Sequence, residues 1–133
     1  MIPRIYLAVA LGSLLGGSLR GAFALLQSPD AWLPWATLLA NASGSLLIGL
    51  YAGLTMPGGR LFHGPARRHF VMTGFCGGYT TFSIFSLETL QLLHAERLWS
   101  AVGNVGLSLG TWFLAVWLGY ALATRLNSLV RTD

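Results

Sequence analysis

Apolar residues run through this chain in four long stretches, and the polar residues gather in three short gaps between them. A helix that crosses a bilayer takes about 20 mostly apolar residues. The pattern predicts spans at about 5–27, 34–55, 70–93 and 99–124. The gaps read SPDAWLP, MPGGRLFHGPARRH and HAERLWS, where proline, glycine and charge make turns. Only the middle gap is long enough to be more than a tight connector. The expected fold class is therefore an all-α membrane protein, with one four-helix domain over residues 1–133.

Composition supports this. Hydrophobic residues make up 54% of the chain and charged residues 9%, whereas soluble domains carry about 25% charged residues. Mean hydropathy is +0.64. A cleaved signal peptide is the rival reading of the first stretch, because Ala22-Phe23-Ala24 resembles a cleavage site. Arg20 interrupts that stretch and glycines recur through it, which argues for a retained span.

Every basic residue is arginine, and most lie at the ends of apolar segments, which favours membrane-flanking charge over a nucleic-acid surface. With four spans the termini share a side with the 56–69 loop. That side holds Arg4, Arg60, Arg67, Arg68, Arg125 and Arg131, whereas the other holds Arg97 beside Asp30 and Glu96. The bias predicts cytoplasmic termini, and Trp32, Trp35 and Trp99 fall at the opposite boundary as an interfacial belt. Cys76 is the only cysteine and reads as a small buried hydrophobe, since His63, His69 and His94 have no ligand spacing to it. Small residues four apart, Gly12-Gly16, Gly17-Gly21, Ser45-Gly49-Gly53 and Gly106-Gly110, predict close helix packing. Four short helices packed so closely leave little lumen, so a conduction path is expected to need a second subunit.

The polar residues inside the spans are the candidate chemistry. Arg20 either snorkels to the surface or faces inward and makes the interior attractive to anions, with Glu88 as its candidate counter-charge. Thr37, Asn41 and Ser45 recur every fourth residue on one helix face. Asn41 can bond a neighbouring helix, or its amide can donate to an anion. The stretch GFCGGYTTFSIFSLE at 74–88 carries Gly77-Gly78 and then Thr80-Thr81, a combination that predicts a helix break. Such a break is tolerated at membrane depth only when buried in protein or lining a cavity. It is either a plain kink or an ion site, its carbonyls suiting a cation and the amides of the next half-helix an anion. Phe82 and Phe85 share a face beyond it, with Ser83 and Ser86 as a neighbouring polar row. Ring edges are electropositive, so these rings beside hydroxyl and amide donors would suit a small anion.

Taken with TLLANASGSLLIG in the second span and the early arginine, GFCGGYTTFSIFS resembles the Fluc (CrcB-type) fluoride channel family over essentially the whole chain. The resemblance implies an antiparallel dimer of four-helix subunits with two fluoride pores and a broken third helix. It implies that Phe82, Phe85 and Asn41 line the pore, with Thr37, Ser83 and Glu88 along a polar track and Arg20 near a vestibule. Gly77 and Thr80 match the positions whose backbone carbonyls hold a structural sodium ion at the dimer centre. Ile84 stands where the family pattern usually has threonine, so position 84 loses its hydroxyl. The expected activity is not enzymatic: it is passive export of fluoride from the cytoplasm through a bacterial or archaeal inner membrane. The arginine bias leaves two pairings, a dual-topology homodimer as first choice and a heterodimer with an oppositely oriented paralogue. A small four-helix multidrug transporter is the alternative, but it needs a carboxylate in the first helix, where this chain has Arg20.

Overall fold

The computed structural model describes residues 2–61 and 64–129, so His63 and Arg131 lie outside the described residues. All its regular structure is helical: α1 (Ile2–Ala24), α2 (Trp35–Leu54), α3 (Pro65–His69), a π-helical segment Phe70–Cys76, α4 (Gly77–Tyr79), α5 (Ser83–His94) and α6 (Leu98–Ser128). Among the described residues, four stretches are long and apolar enough to cross a membrane: Ile2–Ala24, Trp35–Leu54, Pro65–His94 and Leu98–Ser128. The chain is a multi-pass membrane protein.

The ends of the spans differ from the sequence expectation. The third begins at Pro65 rather than near residue 70, because proline in the first turn forfeits no hydrogen bond and the arginines that follow are helix formers. The last runs on to Ser128, through threonine, arginine and asparagine, which leave hydropathy before they leave the helix. Residues 70–76 close wider π turns, a form frequent at functional sites.

Two seams hold the bundle, and both depend on missing Cβ atoms. Along the α2–α6 seam, a Cβ on Gly49 would strike the Val116 carbonyl and one on Gly119 the Leu46 carbonyl. Between α1 and the third span, a Cβ on Gly12 would meet the Phe70 carbonyl, and one on Gly16 the Phe75 carbonyl. Ser13 Oγ adds a 3.4 Å bond to the Gly74 carbonyl. The expected pairs at Gly17-Gly21 and Gly106-Gly110 are not in such contact: Gly21, Gly106 and Gly110 have nothing within 4 Å of a built Cβ. Spacing alone does not say which helix face meets a neighbour.

The end away from most arginines is closed by side chains. Gln27 Nε2 donates to the Leu33 carbonyl at 3.2 Å, and the Ala36 N–H donates to Gln27 Oε1 at 3.0 Å, capping the start of α2. Arg97 Nη2 donates to the carbonyls of Ala31 at 3.0 Å and Trp32 at 3.1 Å. The arginine there is thus a clamp on the α1–α2 loop. At the opposite end Asn127 receives the Arg60 N–H at 2.9 Å and donates to the Gly53 carbonyl at 2.9 Å, tying α6 to the end of α2.

The α2–α6 seam gives a direct prediction. Gly49→Ala or Gly119→Ala forces backbones apart and should lower stability by about 1–3 kcal/mol. Gly21→Ala, which meets nothing, should be neutral or slightly stabilising. Thermal unfolding of the purified protein measures both; equal midpoints across the set would place the seam elsewhere.

Candidate functional site

The site is built where the third span stops being helical. Cys76 closes the last turn: its carbonyl accepts from the Thr80 N–H at 3.0 Å and from Thr80 Oγ1 at 2.9 Å. Thr80 itself is extended, with φ −86 and ψ 156, and residues 80–82 lie outside any helix. The glycines are not where the path departs. Gly77 and Gly78 remain helical, and the change comes at the threonines, whose hydroxyls replace lost backbone partners.

Asn41 of α2 takes over at the next peptide. The Thr81 N–H donates to Asn41 Oδ1 at 2.7 Å, and Asn41 Nδ2 donates to the Thr81 carbonyl at 2.8 Å. Both polar groups of one displaced residue are thereby satisfied by one buried amide. In an unbroken helix the Thr81 N–H would bond the Gly77 carbonyl, so that carbonyl loses its helical donor. The Gly78 carbonyl gains one from elsewhere, Arg20 Nε of α1 at 3.4 Å. Thr81 Oγ1 then accepts the Ile84 N–H at 3.2 Å and lies 3.3 Å from Ser83 Oγ, starting α5 as a capping side chain does.

Of these residues Asn41, Cys76, Gly77, Thr80 and Thr81 line a cavity of about 460 Å³, together with Gly44, Ser45, Ile48, Met72, Phe82 and Trp112. Among the described residues no carboxylate contributes to this wall. The Phe82 and Phe85 rings lie 5.5 Å apart with a 54° tilt. They differ in setting: Phe82 is 68% exposed on the single chain, whereas Phe85 is 6% exposed. Phe85 packs edge-on against Trp112 at 4.9 Å. Asn41 has a second amide hydrogen, and the Thr81 and Ser83 hydroxyls can rotate. Donors and an open ring edge therefore meet beside apolar walls, an arrangement able to receive a small anion.

Of the expected site residues, Asn41, Gly77, Thr80 and Phe82 line the cavity, whereas Arg20, Thr37, Ser83, Phe85 and Glu88 do not. Thr37 Oγ1 donates to Glu88 Oε1 at 2.7 Å, one turn before Asn41. Glu88 also lines a cavity of about 320 Å³ at the clamped end, with Gln27, Gln91 and Arg97 among its walls. Glu88 is thus held by a hydroxyl, and Arg20 is spent on the Gly78 carbonyl rather than on Glu88.

One buried polar line escaped the sequence reading. Asn104 Nδ2 donates to Thr89 Oγ1 at 2.9 Å, and Ser108 Oγ donates to Asn104 Oδ1 at 3.4 Å. Ser100, Asn104 and Ser108 are all buried. They recur every fourth residue in α6, the same signal that marked Thr37, Asn41 and Ser45.

In class, the chain is a multi-pass helical membrane protein with a non-helical stretch inside one span, clipped by an asparagine from another. It belongs to the family described as CrcB-like protein, Camphor Resistance (CrcB), whose model matches residues 7–120. A relative from Rhodopseudomonas palustris (strain BisB18), named fluoride-specific ion channel FluC 1, is 49% identical over 130 residues, covering 96% of this chain and 92% of its own. A Bradyrhizobium diazoefficiens protein of the same name is 48% identical over 128 residues, covering 96% and 90%. The fluoride-specific ion channel FluC of Opitutus terrae is 50% identical over 127 residues, covering 94% and 96%.

The Asn41 clip can be tested apart from any transport. Asn41→Ala leaves the N–H and carbonyl of Thr81 without their side-chain partners, which should cost up to about 1–3 kcal/mol per group. Amide exchange at Thr81 should accelerate while α6 amides stay protected. Unchanged exchange at Thr81 would mean that another group satisfies this peptide.

Proposed function

We propose that this chain is a subunit of a fluoride-selective channel that lets fluoride leave the cytoplasm passively. The observation that carries the reading is the convergence, at one interrupted span, of Asn41, the Thr81 and Ser83 hydroxyls and the Phe82–Phe85 pair beside a wall without carboxylates. Relatives that match nearly the whole chain are named fluoride-specific ion channels. In this reading Asn41 and hydroxyl donors replace the ion's water, and ring edges exclude larger, softer anions. Thr37 and Glu88 continue the polar track toward the clamped end. Arg20 fixes the Gly78 carbonyl and lends positive potential to the approach.

The channel is an antiparallel homodimer in this proposal. Phe82 lies largely exposed on one chain and needs a second wall to become part of a pore. The Gly77 carbonyl, without its helical donor, and the adjacent extended Thr80 offer neutral oxygens that fit a hard monovalent cation. Among the described residues no cluster of His, Cys, Asp or Glu competes for that role. Sodium held there would supply positive charge that ties the two subunits together. The setting is a bacterial or archaeal inner membrane. Hydrogen fluoride enters as a neutral acid and ionises inside, so an anion path suffices for export and no reaction is catalysed. The multidrug-transporter alternative has no support in α1, which carries Arg20 and no acidic residue.

Fluoride efflux from proteoliposomes, read by a fluoride electrode, tests this reading. Wild type should release fluoride and retain chloride. Phe82→Ile and Asn41→Asp should each slow efflux by about tenfold or more, the effect of losing roughly one good interaction with the ion. Replacing sodium with a bulky organic cation should lower efflux or thermal stability. No efflux from folded, sodium-loaded wild type would overturn the channel reading.

A further inference from the structure

We propose that Arg4 and Arg67 form a binding site for the headgroup of an anionic phospholipid, between the start of α1 and the start of the third span. A cavity of about 590 Å³ opens there, lined by Arg4, Ile5, Gly64, Pro65, Ala66 and Arg67. Two elements far apart in sequence each contribute one arginine to a single crevice.

Three observations point to a lipid phosphate. First, neither arginine has an ion-pair partner among the described residues, and both are exposed. The described carboxylates are elsewhere: Asp30 and Glu96 at the opposite end and Glu88 inside a span. Second, Arg67 and Arg68 serve different crevices. Arg68 lines a neighbouring cavity of about 540 Å³ with Thr55, Met56 and His69, so Arg67 alone joins Arg4. Planar guanidiniums are suited to the paired oxygens of a phosphate. Third, the crevice is apolar apart from its arginines, and on the Arg4 face of α1, toward the membrane interior, Leu7 and Leu11 are 61% and 48% exposed. An anion carrying acyl chains covers that face, whereas free phosphate leaves it bare. Basic crevices between spanning helices at the headgroup level are known to favour anionic lipids.

The position gives the contact a consequence. Residues 65–69 lead directly into the π-helical segment that Gly12 and Gly16 seat against α1. A headgroup bridging Arg4 and Arg67 therefore fastens the outer end of the seam that positions residues 80–82.

Native mass spectrometry of the purified, intact assembly tests the proposal by comparing retained phosphatidylglycerol with phosphatidylcholine of the same acyl chains. Each arginine should favour the anionic lipid by about fivefold. Arg67→Gln should lower the preference by about that factor, and Arg4→Gln with Arg67→Gln should nearly abolish it. Arg60→Gln with Arg125→Gln removes the same charge from the same end and should leave most of it. Glycerol phosphate, which has the headgroup without the chains, should displace little lipid. An undiminished preference in the first double variant, an equal loss in the second, or efficient displacement by glycerol phosphate would each overturn the site. Fluoride efflux plays no part in this readout, so its outcome is separate from that of the channel reading.

Discussion

A peptide group that leaves its helix inside a bilayer has no water to turn to, and the rest of this structure follows from how one such group is satisfied. Thr81 surrenders both its helical bonds, and Asn41 returns both at 2.7 and 2.8 Å. Leaving either group unpaired in hydrocarbon costs several kcal/mol, and the carboxamide that α2 presents at that depth meets both. The same exchange frees the Gly77 carbonyl and brings Arg20 to the Gly78 carbonyl. A single side chain thus permits an opening in the backbone and determines which oxygens become available.

For Asn41 to reach Thr81, α2 must approach the third span closely, and Gly44 permits this by lying against the side chain of Thr80. The other side of α2 rests on α6 through Gly49 and Gly53. Helix α2 is therefore the hub, carrying the amide on one face and the glycine seam on another. From the other direction, α1 fixes the π-helical segment through Gly12 and Gly16. Dispersion between closely packed backbones does the work that the hydrophobic effect does in water.

Much of this was legible in the sequence because the bilayer imposes length and polarity so severely. The four spans followed from apolar runs, and the polar fault at 74–88 was conspicuous in such surroundings. Asn41 was recognisable as a polar residue on a shared face with Thr37. Its partner was not, because a reciprocal bond to a backbone group forty residues away leaves no mark on composition. The glycines drew attention to 77–78, yet the path turns at Thr80, whose hydroxyl can cap its own turn. Arg20 and Glu88 suggested each other by charge, but each found a nearer neutral partner. The Asn104–Ser108 line carried a readable four-residue spacing that the more obvious glycines in α6 obscured.

If the interruption at 80–82, held by Asn41, is the ion path and not an incidental kink, closing it should stop the ion. A variant that heals it tests this most directly: Thr80→Ala and Thr81→Ala restore helix-forming residues, and Asn41→Leu removes the competing amide. Amide exchange would report whether the third span has become continuous, and a fluoride electrode would report efflux from the same preparation. The expected result is a folded protein with protected amides through 80–82 and no fluoride efflux. Wild-type efflux through a demonstrably continuous third helix would contradict it.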